Sequence, residues 1–159
     1  MDYSTKLADY DNAQDAEAIV SLMREYARIE KCDRDEFDQL PRLLSEIDNG
    51  FTVLAYADSK DARAVGMITC FFGFSTFQLK TLVNIHDVIV TKDQRGNGLA
   101  GLMLDRVELE SRSHGACRLT LEVLGDNQPA ITAYEKFGFD KDPSHPNVDT
   151  YFLRKSLGA

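Results

Sequence analysis

The feature that most restricts the fold is a β-branched run, a glycine-bearing polar loop and an amphipathic run in direct succession, "VIVTKDQRGNGLAGLMLDRVELE" over residues 88–110. This succession reads as strand, turn and helix of a layered α/β domain. Without Cβ atoms, Gly96 and Gly98 permit positive φ and close approach of a ligand, so successive N–H groups at the helix start can face an anion. The helix dipole adds about half a positive charge there, and Arg95 adds a whole one. The sequence thus predicts an anion cradle at the N-terminus of a helix.

Gly96, Gly98 and Gly101 also match G-x-G-x-x-G, the dinucleotide fingerprint, and Glu122 ends the next apolar run about where such a fold holds a ribose hydroxyl. The segment "TKDQR" between Val90 and Gly96 argues against that ligand. A dinucleotide loop turns almost directly from its strand into the first glycine. The cradle is therefore expected to hold a different phosphate, with Gly101 as a helix-packing position.

A chain of 159 residues fits one domain and is too short for a two-domain dehydrogenase. Its net charge of -8 opposes general nucleic-acid binding, which requires a basic surface, and is mildly favourable to a cationic substrate. Cys32, Cys70 and Cys117 are too few and scattered for a disulfide framework, so reduced cytosol is the default. No apolar run approaches a membrane span, and "MDYSTKLADYDNAQDAE" is too polar for a signal peptide. The reading is a cytoplasmic protein with no membrane or nucleic-acid partner.

"TKLADYD" predicts an opening strand, and Asp11 or Asn12 is placed to cap a helix over 13–29 whose buried stripe is Ile19, Leu22, Met23 and Tyr26. "DRDEFDQLPRLLSEIDNG" predicts a second helix or helix pair, broken or begun at Pro41 and stopped at Gly50. "FTVLAYAD" and "AVGMITCFF" read as an antiparallel hairpin joined through "DSKDA", and "GFSTFQLKT" as a crossover to the strand "LVNIHDVIV". A helix with Leu99, Leu102, Met103, Arg106 and Val107 on its periodic face runs to about Ser113. "CRLTLEV" is the next strand, "GDNQPAITAYEKFGF" a helix capped by Asp126 or Asn127 and stopped at Gly138, and "VDTYFLRKSL" a closing strand. Phe71, Phe72, Phe74 and Phe77 read as core more than as a ligand box. The charged residues between Arg24 and Asp38, among them Glu25, Glu30, Asp33 and Asp35, read as a solvated face. His114 and His145 have no partners at ligand spacing, so no metal is expected.

"QRGNGLA" resembles the Q/R-x-x-G-x-G/A pyrophosphate motif of the GNAT superfamily of N-acetyltransferases at Gln94, Arg95, Gly96, Gly98 and Ala100. The resemblance continues in order through the strand before the loop, "CRLTLEV" after its helix, then Asn127, Ala130, Tyr134 and "FGF" at 137–139. It implies one GNAT-like α/β domain over residues 1–159, with a mixed, mostly antiparallel twisted sheet flanked by helices. It implies acetyl-CoA as co-substrate, its pyrophosphate on the backbone of Arg95, Gly96, Asn97, Gly98, Leu99 and Ala100. The pantetheine arm, which carries two amides, would run along Val88, Ile89 and Val90 as an added strand does. Homodimers are common in the family, although the sequence marks no interface.

Acetyl transfer from a thioester to an amine needs a neutral amine, a stabilised oxyanion and a proton for the leaving thiolate. An alkylamine is less than about 0.1% neutral at pH 7, so a proton acceptor is useful. A backbone N–H, that of Val88 by position, suits the oxyanion, and the family resemblance assigns the proton donor to Tyr134. His86 stands nine residues before Arg95, where spermidine/spermine acetyltransferases, which this stretch locally resembles, carry a glutamate that acts as base through water. Histidine still suits that task. Asp87 follows as an acidic residue does there, and reads either as a contact to a cationic substrate or as a tether to a neighbouring strand. Alternation along the strand sets Asn84, His86 and Val88 on one face and Ile85, Asp87 and Ile89 on the other. The expected acceptor is a small amine such as a polyamine, diamine or amino-acid derivative. The alternatives are a protein N-terminal or lysine acetyltransferase, and a non-catalytic CoA-binding module.

Overall fold

A computed structural model describes residues 2–32, 36–58, 63–145 and 149–158. The expected turn over 58–62 lies mostly outside them, as do Asp33 and Asp35 and part of the 141–149 loop. The described elements form a seven-stranded sheet in the order β1-β2-β3-β4-β5-β7-β6. These are β1 Tyr3–Leu7, α1 Ala13–Ile29, α2 Leu40–Ile47, β2 Gly50–Ala57, β3 Ala64–Ser75, β4 Lys80–Val90, α3 Leu99–Ser113, β5 Arg118–Leu124, α4 Gln128–Phe137, β6 Asp140–Lys141 and β7 Thr150–Ser156. The sheet is mixed: β1/β2, β5/β7 and β6/β7 are antiparallel, whereas β4 and β5 run parallel through Val83↔Leu119, Asn84↔Thr120 and Ile85↔Leu121. This is the expected mixed sheet with flanking helices.

The chain divides into two compact units, Met1–Thr69 with Asp87–Arg106, and Cys70–His86 with Val107–Ala159. In the first, Asn12 caps α1 by accepting from the Asp15 N–H. The period of that helix buries Ala18, Ile19 and Leu22 against Leu54, Met67 and Ile89, with Met23 and Tyr26 packed at the margin. Each fully buried aliphatic side chain here contributes about 1.5–3 kcal/mol of transfer free energy. Asp15 is buried at 1% exposure, and it is a working junction. Its carboxylate pairs with Lys6 at 2.8 Å and accepts from the Asp9 N–H and the Tyr56 hydroxyl. Behind the anion loop, a Cβ on Gly66 would meet Met103 at 2.9 Å and the Ile89 carbonyl at 3.3 Å. That bare backbone lets α3 pack directly on the sheet.

In the second unit, alternation along β5 buries Leu119, Leu121 and Val123, and Leu153 of β7 joins them. Asn127 caps α4, and Gly138 ends it with φ 106°, as read from the sequence. Glu108 is held by Lys155 and Arg112; burial works against its charge, and those two cations still keep its carboxyl below the ordinary value.

Four expectations change. Gly50 does not stop α2: Asp48 takes the left-handed position at φ 46°, and Gly50 opens β2. Residues 76–79 form a tight turn and not a crossover, because β3 runs on to Ser75 and β4 starts at Lys80. Phe74 near the end of β3 and Phe77 in that turn face solvent, at 60% and 100% exposure, so they are not core. On α3, Leu102 is exposed and Leu104 takes the buried place, while a Cβ placed on Gly101 would meet nothing within 4 Å, so close helix packing does not require this glycine. The helical turn Glu36–Gln39 followed by α2 agrees with the helix pair read over 33–50, whereas the two-residue β6 and the turn Lys92–Gln94 had no legible signal.

Candidate active site

The first unit carries the end of β4, the loop and the start of α3. Ile89 is buried and Val88 and Val90 are partly so, so the side chains of this strand contribute to the core. After Val90 the chain is pinned: the Thr91 N–H donates to the Val65 carbonyl at 2.9 Å, and the Gln94 N–H to the Thr91 carbonyl at 2.9 Å. Gly96 and Gly98 then adopt φ 81° and 75°. No atom lies within 4 Å of a Cβ placed on either. Their glycine character therefore serves backbone direction and an open approach, not internal packing. The Gly98 carbonyl accepts the first helical bond, from the Leu102 N–H at 3.2 Å, so the N–H groups of Leu99 and Ala100 lie in the first turn, before the intrahelical ladder begins. The side chain of Leu99 is buried and anchors that end. An open concavity of main-chain donors at a helix start fits a diphosphate.

Three side chains of the loop are engaged with the protein. Gln94 accepts the Tyr3 hydroxyl at 2.6 Å and donates to Asp93 at 3.1 Å; Asn97 donates to the Gln94 carbonyl at 3.2 Å. Arg95 is exposed and folds its Nε onto the Val90 carbonyl at 3.2 Å. Hydrogen bonds from Gln94 and Arg63 draw the Asp93 carboxyl down to about 2. Asp87 is partly buried on the face of β4 that carries Ile89, and its charge reaches Tyr26 of α1. Burial foremost, then the charges of Glu30 and Asp87, raise the Tyr26 phenol above its ordinary value. Sequence reading placed Tyr26 only in the buried stripe; the effect of Asp87 on it follows from tertiary packing.

The second unit carries the remaining candidates. His86 is exposed on β4, its ring edge-on to Phe71 with centroids 5.3 Å apart. Asn84 on the same strand donates to the Thr120 hydroxyl at 3.0 Å, so it is a tether to β5. The Asn127 side chain accepts from the Ala130 N–H at 3.4 Å, which gives both residues a capping role in α4. Tyr134 is 9% exposed and packs edge-on against Phe139 at 5.9 Å, and its carbonyl accepts the Phe139 N–H. The "FGF" segment thus orients this tyrosine. Among the described residues there is no group of three or more metal-type ligands and no helix long and apolar enough to cross a membrane. A groove of about 860 Å³ in the first unit, lined by α1 and α2 residues such as Val20, Arg24, Arg28, Arg42 and Glu46, contains none of the predicted site residues.

Comparison with known proteins reaches the same loop and helix. An uncharacterized N-acetyltransferase of Bacillus subtilis, YhfO, is 25% identical over 128 residues, covering 80% of this chain and 85% of its own. Streptothricin acetyltransferase of Streptomyces lavendulae is 34% identical over 86 residues, 52% of this chain and 46% of its own. The PaiA N-acetyltransferase of Thermoplasma acidophilum, solved with coenzyme A, superposes with a TM-score of 0.71 at 14% identity, over 99% of this chain and 100% of that one. Residues 16–139, most of the chain, match the model of the acetyltransferase (GNAT) family; the protein belongs to that family and is an acetyl-CoA-dependent N-acetyltransferase.

Proposed function

We propose that the acceptor is the primary amine of a small cationic molecule, a polyamine, diamine or amino-acid derivative, and that it attacks the thioester directly. The observation that carries this reading is the partly buried Asp87 carboxylate on β4, one residue before Val88. Asp87 adjoins in sequence the main-chain group assigned to the acetyl carbonyl, consecutive Cα atoms being about 3.8 Å apart. The net charge of -8 favours encounter with cations, and the pair His86-Asp87 stands where spermidine/spermine acetyltransferases carry two acidic residues.

Acetyl-CoA supplies an activated acetyl group; the chain supplies position and proton management. The N–H groups from Arg95 to Ala100 hold the pyrophosphate, with Gln94 fixing the loop, and the main-chain groups of Val88, Ile89 and Val90 align the pantetheine arm. The Val88 N–H polarises the acetyl carbonyl. His86, exposed and oriented by Phe71, takes a proton from the substrate ammonium through water and leaves the neutral amine that attacks the thioester. Tyr134 donates a proton to the departing sulfur. Asn127 and Ala130 set the start of the helix that carries it. The test is a panel of diamines, polyamines, monoamines, amino-acid amides and peptides, followed by release of CoA thiol and product mass. Turnover concentrated on small cationic amines is expected; turnover confined to peptides would replace this acceptor with a protein.

A further inference from the structure

The side chain of Gln94 is spent inside the protein. Its Oε1 accepts the Tyr3 hydroxyl at 2.6 Å, and its Nε2 donates to Asp93 Oδ2 at 3.1 Å, which also accepts from Arg63 Nη2 at 2.6 Å. Tyr3 belongs to the edge strand β1, 91 residues away, and Arg63 directly precedes β3. Both anchors are joined to the sheet: Tyr3 pairs with Ala57 of β2, and the Arg63 carbonyl accepts the Ala57 N–H. Downstream, the Gln94 carbonyl accepts Asn97 Nδ2 at 3.2 Å, so the chain of bonds runs from the sheet edge to the residue between the two glycines. Arg63 and Asp93 are more than half exposed, at 58% and 55%, and an ion pair so open to water adds little to folding stability. What this chain of bonds does is restrict a glycine loop that otherwise pays conformational entropy when its N–H groups converge on a ligand.

We propose that Tyr3, Arg63 and Asp93 are positioning residues for donor binding, acting through Gln94 to preorganise the loop over Gly96–Ala100 for the pyrophosphate. The proposal rests on the loop being the pyrophosphate cradle. Hydrogen bonds hold the Asp93 carboxyl below the usual carboxylate range, which favours the charged form that Gln94 and Arg63 contact. It predicts a defect specific to the part of the donor that the loop touches.

The experiment compares kcat/KM for acetyl-CoA with that for S-acetylpantetheine, which has the thioester and no pyrophosphate. In Tyr3→Phe and in Arg63→Met the ratio of the two is expected to fall about 3- to 10-fold, the size of one lost hydrogen bond. The loss should appear in KM for acetyl-CoA with kcat retained, the thermal midpoint should move little, and Arg63→Lys should restore most of the ratio. Gly98→Val is the control for the cradle. If Gly98→Val lowers the ratio while Tyr3→Phe and Arg63→Met leave it unchanged, the brace is refuted and the cradle stands. If Gly98→Val also leaves it unchanged, the cradle itself is refuted. An equal loss with both donors in Tyr3→Phe and Arg63→Met would show a general structural role and overturn the proposal.

Discussion

Arg95 and Val90 are joined across the turn, the Nε of one donating to the main-chain carbonyl of the other at 3.2 Å. That carbonyl ends the strand along which the pantetheine arm is proposed to lie, and Arg95 remains open to solvent. The same side chain thereby shields the end of β4 and places a positive charge at the cradle. Arg95→Leu is expected to weaken acetyl-CoA binding about 3- to 10-fold in calorimetric titration at low salt. The difference should shrink as salt screens the exposed charge; a loss independent of salt would assign Arg95 a packing role instead.

The Asp15 junction predicts how stability depends on acid. Burial pushes this carboxyl up, but Lys6, the Asp9 N–H and the Tyr56 hydroxyl together bring it below the ordinary 3.8. A group with a depressed folded-state pKa stabilises the fold fully above the unfolded value and loses that contribution as pH falls through the folded one. Asp15→Ala should lower the unfolding free energy by about 2–4 kcal/mol at pH 7, and the gap from the wild type should narrow below about pH 4. A constant gap from pH 7 to pH 3 in urea titrations would show that the ionised form contributes nothing.

His86 stands on the exposed side of β4 with Phe71 at its edge. Because its proposed role is to take a proton from the substrate ammonium before attack, its removal matters most when the amine is protonated. His86→Gln is expected to reduce kcat about 10- to 100-fold at pH 7, with acetyl-CoA affinity unchanged. The deficit should contract as pH rises toward the pKa of the amine. A pH-independent deficit would make His86 a substrate-orienting group.

Much of this was legible in the sequence because it is local. The helix over 13–29 with its Asn12 cap, the helix over 99–113 and the Asn127-to-Gly138 span follow from caps, periodicity and a left-handed glycine. Gly96 and Gly98 carry positive φ as read, because only glycine takes that backbone cheaply. Contacts between distant segments were not legible. Tyr3 on Gln94 and Arg63 on Asp93 join positions 91 and 30 apart, and no periodicity encodes such pairs. Gly101 failed for the opposite reason, since a motif position implied packing where an added Cβ would meet nothing within 4 Å. Phe74 and Phe77 look like core by composition, and the end of β3 and the turn after it leave them in solvent.

The central claim is that this chain binds acetyl-CoA on one set of groups and passes the acetyl on with another, with Tyr134 protonating the leaving sulfur. The most direct test is Tyr134→Phe, which keeps the ring packed on Phe139 and removes only the hydroxyl. Steady-state rates with one good acceptor amine, set beside CoA titrations of the same preparation, should show kcat reduced about 10- to 1000-fold with the dissociation constant of CoA within about twofold of wild type. An unchanged kcat, or a loss explained wholly by weaker CoA binding, would contradict it.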